Sequence, residues 1–136
     1  MRFVDTSIFL YAISNVPSEA EKAEVAREIL GSRDLSLSVQ VVQEFYVQST
    51  RSDRRDPLTQ EQALGLIQSF MRFPIHDASM AVVLLAMATT EKFKVSYWDA
   101  AIIEAARVIK CEVVLSEDLD HGSDYGGVRV LNPFVV

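Results

Sequence analysis

Two short apolar segments, one near each end of the chain, run directly into acidic residues. In MRFVDTSIFLYA the apolar residues lead into Asp5, and in EVVLSEDLDHG the segment 113–115 leads into Glu117, Asp118 and Asp120. One strand that ends in an acid is ordinary, but two such strands in a small chain suggest a shared site. Ligand sites of parallel sheets lie beyond the carboxyl ends of the strands, so Asp5 and Asp118 are expected at the same edge.

The residues between these two segments alternate between strand and helix patterns. Short strands are predicted over 2–4, up to about Leu37, at FPI, over 113–115 and over 128–131. Helix patterns occupy SEAEKAEVAREIL, SVQVVQEFYVQST, TQEQALGLIQSFM, the stretch from Asp77 to about Lys92, and SYWDAAIIEAARVI. This alternation is typical of a parallel sheet covered on both faces. The predicted fold class is α/β, a three-layer α/β/α sandwich with a small central parallel sheet.

Local residue types predict where several helices begin and which are buried. Ser18 with Glu21, and Thr59 with Gln62, have the spacing of capping boxes, and Asp77 is the predicted cap of a later helix. That later helix is apolar on nearly all sides, which predicts that it is buried. Two other helices have an apolar stripe, with members Ala63, Leu64, Ile67, Phe70 and Met71 in one and Trp98, Ala101, Ile102, Ala105, Val108 and Ile109 in the other.

Length and cysteine content favour a small intracellular domain. The 136 residues predict one domain spanning 1–136, large enough to fold without disulfides. The single cysteine, Cys111, excludes a disulfide framework and is expected in the core. The sequence has no signal-peptide pattern and no apolar run near the ~20 residues of a membrane helix. A soluble, cytoplasmic protein with no membrane association is therefore expected.

The net charge of −6 argues against nucleic-acid binding by simple charge attraction. Carboxylates gathered in one cleft can nevertheless bind divalent cations, which can then meet phosphate groups. Basic clusters in STRSDRRDP and EKFKV could guide a phosphate chain or could be solvated surface; their members are Arg51, Arg54 and Arg55, and Lys92 and Lys94.

Two further acids are candidates for the same site. Asp99 falls in the first turn of its helix if Ser96 is the N-cap, and Glu44 interrupts the apolar stretch VVQEFYV. Each acid also has a purely structural interpretation. Asp99 and Asp5 could be helix-capping residues, Glu44 could face water, and Asp118 could be a turn residue. Their joint presence favours a site over four separate coincidences.

Five segments together resemble the PIN domain, and within it the VapC-type toxins of toxin–antitoxin pairs. They are FVDTSIFLYA, SVQVVQEFY, SYWDAAIIEAA, LSEDLDHG and VRVLNPF, in this order over essentially the whole chain. The resemblance implies an α/β/α sandwich, a Mg²⁺- or Mn²⁺-dependent ribonuclease activity, a homodimer and a cognate VapB-like antitoxin. By motif match, the catalytic acids of the family fall on Asp5, Glu44, Asp99 and Asp118. Ser7 and Ser116 match supporting polar positions, and Asp120 matches a more variable one.

Phosphodiester chemistry is compatible with this carboxylate set. Mg²⁺ prefers hard oxygen ligands and usually takes one or two protein carboxylates directly. Asp5 and Asp99 are the predicted direct ligands, whereas Glu44 and Asp118 are expected to act on a second ion or through its waters. The two histidines form no HExxH-type pair.

Other classes of protein fit less well. A receiver-like phosphoacceptor needs paired acids near the first strand and a lysine after a late one, but this chain has Asp5 alone and Glu117-Asp118. A haloacid-dehalogenase-type phosphatase needs a second acid where Ser7 stands. A PIN nuclease of RNA processing and an inactive PIN module that only binds a partner remain alternatives.

Two surfaces are expected to bind protein partners. The apolar helices around 63–70 and 80–88 predict a two-fold homodimer. An antitoxin tail is expected to place an Arg or Lys among the acids and its apolar residues in a groove near Phe9, Phe45 and Tyr46.

Overall fold

The computed structural model describes residues 1–135, and it contains a five-stranded, fully parallel sheet over this range. The strand order is β3-β2-β1-β4-β5. The strands are β1 (Arg2–Val4), β2 (Leu35–Ser38), β3 (Ile75–His76), β4 (Val113–Leu115) and β5 (Arg129–Leu131). The helices are α1 (Thr6–Ala12), α2 (Ala20–Leu30), α3 (Val39–Thr50), α4 (Gln60–Phe70), α5 (Met80–Phe93) and α6 (Tyr97–Val108). The predicted α/β class and central parallel sheet are confirmed.

The strand order reverses beside β1, and this reversal creates the three layers. The chain moves outward from β1 through β2 to β3 and then returns to place β4 on the other side of β1. Since parallel crossovers are almost always right-handed, the helices before β3 cover one face and α5 and α6 the other. Phe3 pairs with both Ser36 and Val114, so β1 is the central strand.

The core lies on both faces of the sheet. Phe3 and Val4 are consecutive, point to opposite faces and are both fully buried. On the α1–α4 side, Phe9 stacks against Phe70 with ring centroids 4.5 Å apart, and Phe45 approaches the same ring at 5.1 Å. This aromatic cluster fixes α1, α3 and α4 against one another.

Three predicted helix starts are confirmed and two are wrong. Ser38 and Ser96 cap α3 and α6, and Thr59 forms the predicted capping box with Gln62. Ser18 is not a cap, because Pro17–Glu19 form a 3-10 turn and α2 begins only at Ala20. At α5 the capping oxygen belongs to Ser79 rather than to Asp77.

The prediction that α5 is buried is wrong. Met80, Leu84 and Met87 are each more than half exposed. The reason is that α5 packs mainly on α6 and buries only Val82, Ala86 and Thr89. Some members of the two predicted apolar stripes are also exposed. They are Leu64 in α4, Met71 just after α4, and Trp98 and Val108 in α6.

An ion pair between a buried glutamate and a partly exposed arginine joins α5, α6 and the turn before β5. The Glu104 carboxylate is buried and lies 2.9 Å from the Arg107 guanidinium. It also accepts a 2.7 Å hydrogen bond from the Thr89 hydroxyl of α5. Arg107 donates in turn to the carbonyls of Tyr125 and Gly126. This network ties the outer helix pair to the far edge of the sheet.

Two smaller expectations concern Cys111 and the helices. Cys111 is a free, buried thiol whose Sγ lies 3.3 Å from the Ser36 hydroxyl, which confirms the prediction of a core cysteine. Within residues 1–135, each helix is too short or too polar to cross a bilayer.

Candidate active site

Asp5 is positioned by β1 and by the start of α1. Its backbone N–H donates to the Leu115 carbonyl of β4 at 3.0 Å, which continues the sheet pairing into the site. Its Oδ1 accepts from the Thr6 amide at 2.7 Å, and its Oδ2 accepts from the Ser116 hydroxyl at 2.7 Å. The carboxylate is thus held in one orientation between the ends of two central strands.

The environment of Asp5 disfavours its ionised form. Burial raises the pKa of Asp5 to about 6, although the hydrogen bonds from Ser116 and Thr6 act in the opposite direction. The negative charges of Asp118 and Glu44 raise the pKa further. A cation beside Asp5 would therefore relieve both the burial cost and the repulsion.

Two serines shape the loop that presents Asp118. Ser116 Oγ accepts hydrogen bonds from the backbone amides of Asp118 and Leu119, at 3.1 and 3.4 Å. Ser7 Oγ accepts from the Glu117 amide at 3.2 Å. Ser7 and Ser116 therefore fix the backbone of the loop that carries Glu117 and Asp118. Partial burial, then the charges of Glu117 and Asp99, raise the pKa of Asp118 above its ordinary value.

Glu44 and Asp99 approach from α3 and α6. Gln40 Nε2 donates to Glu44 Oε1 at 2.8 Å and to the Trp98 carbonyl at 3.2 Å, and so it links α3 to the residue before Asp99. The Asp99 amide donates to Ser96 Oγ at 3.1 Å, which confirms its first-turn position. Both carboxylates are half-buried. The charge of Glu44 raises the pKa of Asp5, and the charge of Asp99 raises the pKa of Asp118.

The structure therefore brings four of the predicted acids to one edge of the sheet and leaves Asp120 apart. Asp120 is exposed in the following turn, where its carbonyl accepts from Ser123. The histidines also have other surroundings. His121 Nδ1 accepts from the Asn132 amide at 2.9 Å, and His76 lies at the end of β3.

A lysine and a tyrosine beside the acids were not anticipated from the sequence. The Glu117 carboxylate accepts from the Tyr11 hydroxyl and lies 2.5 Å from Lys22 Nζ. Partial burial opposes ionisation of Glu117, but the hydrogen bonds from Lys22 and Tyr11 prevail and lower its pKa. Tyr11 is one helical turn beyond Ser7, and this i, i+4 spacing was the available signal.

A cavity of about 220 Å³ opens between α1, α3 and the loop after β4. Its walls are mostly polar and include Glu44, Glu117 and Asp118 together with Thr6, Ser7, Tyr11 and Arg54. The cavity therefore borders the start of α1 after Asp5, helix α3 with Glu44 and the loop with Asp118, whereas Asp99 of α6 does not line it.

The donor set suits a divalent cation such as Mg²⁺ or Mn²⁺. Within the described residues 1–135, no three Asp, Glu, His or Cys side chains converge on one point. Mg²⁺ does not require such a cage, because it retains several waters and binds one or two carboxylates directly. The four hard oxygen donors and the raised pKa of Asp5 fit that mode of binding.

The reversal of strand order between β1 and β4, with acids at its edge, defines a class of protein. It is the class of parallel α/β domains whose ligand site lies at a topological switch point. The family model described as PIN domain matches residues 2–123, so this chain belongs to the PIN domain family. None of the curated proteins matches the sequence significantly.

Solved structures share this fold at low sequence identity. A toxin–antitoxin complex from Klebsiella pneumoniae matches with a TM-score of 0.72 at 17% identity, over 100% of both chains. FitAcB from Neisseria gonorrhoeae matches at 0.68 with 20% identity, again over 100% of both chains. VapC20 of Mycobacterium tuberculosis, a sarcin–ricin loop cleaving toxin, matches at 0.65 with 16% identity, over 97% of this chain and 100% of that one.

Proposed function

We propose that this protein is a metal-dependent endoribonuclease that acts in the cytoplasm as the toxin of a VapBC-type toxin–antitoxin pair. The observation that carries the proposal is that four acids lie close enough at one edge of the sheet for their charges to act on one another. Glu44 and Asp118 act on Asp5, and Asp99 acts on Asp118. Membership of the PIN family and the structural likeness to a sarcin–ricin loop cleaving toxin support it.

Each acid has a distinct proposed role. Asp5 and Asp99 hold the divalent cation, and Asp118 is a further ligand or bonds to its waters. Glu44 orients the attacking water. The hydrogen bond that it accepts from Gln40 supports this role, because it fixes the orientation of the carboxylate. Ser116 and Ser7 keep the loop of Asp118 in place. When bound, the cation neutralises charge on the phosphodiester and lowers the pKa of a water.

The first test is RNA cleavage with and without Mn²⁺. Asp5→Asn and Asp99→Asn are expected to abolish cleavage while the fold is retained. Asp120→Asn is the matched control, because Asp120 is exposed and outside the cluster, and it should cleave as the wild type does. Mn²⁺ at ~100 times Kd should stabilise the wild type by ~2.7 kcal/mol and each site variant by less. Full cleavage in EDTA would contradict the metal mechanism.

The antitoxin is proposed to bind across the acids and an adjoining apolar groove. Of the three residues expected at this groove, Phe9 and Phe45 are buried in the core against Phe70 and cannot contact a partner, whereas Tyr46 is exposed. The exposed side chains of Trp98 and Val47 line a groove of about 430 Å³ beside Glu44. An antitoxin tail that inserts an Arg among the carboxylates could lie along this groove.

This docking mode predicts two separable effects on antitoxin binding. Trp98→Ala should weaken binding through lost apolar contact, whereas Asp99→Lys should weaken it through charge repulsion with the inserted Arg. Val108→Ala is a suitable control, because Val108 is an exposed apolar residue at the other end of the same helix. Wild-type affinity in both site variants would place the antitoxin elsewhere.

The chain is also proposed to form a homodimer through α5. Among the exposed apolar side chains of this helix, Met80, Leu84, Leu85 and Met87 are each at least 45% exposed. An apolar surface of this kind on a small chain is typical of a protein interface. A two-fold dimer would cover each copy of α5 with its counterpart.

A further inference from the structure

The Thr6 hydroxyl is a buried polar group that the protein itself leaves unsatisfied. Thr6 is only 3% exposed, and within residues 1–135 its Oγ1 has no hydrogen-bond partner. Buried hydroxyls are almost always paired, and an unpaired one costs free energy. Thr6 lines the acidic cavity, but its Oγ1 is covered, so a ligand in the cavity can supply the missing partner once the side chain turns about its Cα–Cβ bond.

Most other hydrogen-bond donors of the cavity are already engaged. The Tyr11 hydroxyl donates to Glu117, and the nearby Lys22 ammonium is paired with the same carboxylate. Ser7 Oγ is fixed by the Glu117 amide, from which it accepts. The Ser7 hydroxyl can still donate its own hydrogen, and the Gln48 amide also lies at the wall. Among the described residues of the cavity, Thr6 has the buried hydroxyl without a partner, and Arg54 has the guanidinium without an ion pair.

Arg54 differs from its neighbour in the same loop. Arg51 forms an ion pair with Asp53 at 3.1 Å, and it does not line the cavity. Arg54 is half-buried at the cavity wall, and within the described part of the chain it forms no ion pair although carboxylates share that wall. A cation in this position is suited to an anionic ligand.

We propose that the cavity holds a backbone phosphate of the RNA substrate, bound by the Thr6 hydroxyl and the Arg54 guanidinium. The proposal rests on the proposed ribonuclease function and names the residues that bind a phosphate next to the one cleaved. Phosphate oxygens only accept hydrogen bonds, so the surrounding carboxylates cannot bind them without a cation. At about 220 Å³ the cavity is smaller than the ~300–1,000 Å³ of pockets for drug-sized ligands, which suits a phosphate better than a nucleoside.

The first measurement is unfolding by denaturant in EDTA, without RNA. Thr6→Val keeps the shape of the side chain and removes the hydroxyl, so its stability should equal or exceed that of the wild type. Thr6→Ser keeps the hydroxyl and serves as the functional control. If Thr6→Val is destabilised and Thr6→Ser is not, the hydroxyl has a structural partner and its assignment to phosphate is wrong.

The second measurement is the affinity for a single-stranded RNA oligonucleotide, over a range of salt, in an Asp99→Asn background that prevents cleavage. Arg54→Gln should weaken binding about tenfold and reduce the salt slope by about 0.7, the value for one phosphate contact on a single strand. Thr6→Val should weaken binding about tenfold with the slope unchanged, because a neutral donor releases no counterion. Thr6→Ser should restore the affinity.

Arg51→Gln separates a specific contact from a change in net charge. It removes the same charge from the same loop, and it should change affinity much less than Arg54→Gln. Equal effects of the two arginine variants would overturn the phosphate site while leaving the nuclease proposal intact. A wild type that neither cleaves nor binds RNA would instead refute the proposed function.

Discussion

Burial raises the pKa of the Asp5 side chain, whereas the hydrogen bonds from Ser116 and Thr6 lower it, and burial has the larger effect. The pKa therefore rises from 3.8 to about 6. Between these two values the folded protein binds a proton that the unfolded chain releases. This group thus contributes stability that is fully present below pH 3.8 and is lost as the pH rises through about 6.

The prediction at this residue concerns stability against pH in the absence of metal. The metal-free wild type should lose up to about 3 kcal/mol of unfolding free energy between pH 4 and pH 7 through Asp5, and Asp5→Asn should not show this loss. Asparagine is an equally good N-cap, so α1 should be retained. The measurement is denaturant unfolding in EDTA at a series of pH values.

Asp120→Asn is the control for this titration, because it removes a carboxylate that is exposed and outside the acidic cluster. Saturating Mn²⁺ should reduce the loss in the wild type, since a cation stabilises the ionised carboxylate. A metal-free wild type whose stability rises through pH 4 to 7 as much as that of Asp5→Asn would contradict the raised pKa.

At the residue scale, the sequence predicted the acids better than it predicted their partners. Asp5 and Asp118 were identifiable because each follows an apolar strand, and parallel strands end at one edge. The ion pair of Lys22 with Glu117 was not identifiable, because it joins residues 95 positions apart through the packing of α2 against the site. The unpaired hydroxyl of Thr6 likewise depends on the shape of the cavity.

At the scale of elements, removing one partner of the Glu104–Arg107 pair should reduce the unfolding free energy more than replacing both partners by apolar residues. Arg107→Met leaves the Glu104 charge buried without its partner, and we expect a loss of about 3–5 kcal/mol in unfolding free energy. The double variant Glu104→Met/Arg107→Met removes both charges and should recover the part of that loss that comes from the unpaired carboxylate. It should not recover the part that comes from the lost hydrogen bonds of Arg107 to Tyr125 and Gly126. Thermal or denaturant unfolding of the three proteins completes the comparison.

A surface ion pair supplies the control for this cycle. Lys94 and Glu91 are both exposed and lie 3.4 Å apart, so Lys94→Met should change stability by less than about 1 kcal/mol. If Arg107→Met cost no more than Lys94→Met, the buried pair would not contribute to holding α6 in place.

Element types were predictable wherever a local signal decided them. Thr59, Ser38 and Ser96 marked helix starts correctly because a capping hydroxyl acts within one turn. Ser18 failed because Pro17 favours its own turn, which displaces the start of α2 to Ala20. The exposure of α5 was not predictable from its sequence. An apolar helix is expected to be buried, but its residues do not indicate whether it is buried by the same chain or by a second protein.

At the scale of the whole molecule, the exposed α5 predicts a change in mass when its apolar face is disrupted. The chain has a mass of 15.2 kDa, and sedimentation of the wild type at micromolar concentration should give about twice that value. Leu84→Glu introduces a charge where two copies of α5 would meet, and it should yield the monomer.

The control substitution lies on an exposed apolar residue outside α5. Met71→Glu, at the end of α4, should sediment as the wild type does. A wild-type mass near that of one chain would contradict the dimer, and dissociation by Met71→Glu alone would move the interface to α4.

The pairing of β1 with β4 also determines when the site can exist during synthesis. The hydrogen bond from Ser116 to Asp5 joins residues 111 positions apart, so a ribosome that adds about 5–20 residues per second needs roughly 6–20 s between them. Until β4 docks beside β1, Asp5 lies at an unpaired sheet edge without Ser116 and Asp118. We therefore expect the proposed nuclease to gain its activity only after the last quarter of the chain leaves the ribosome.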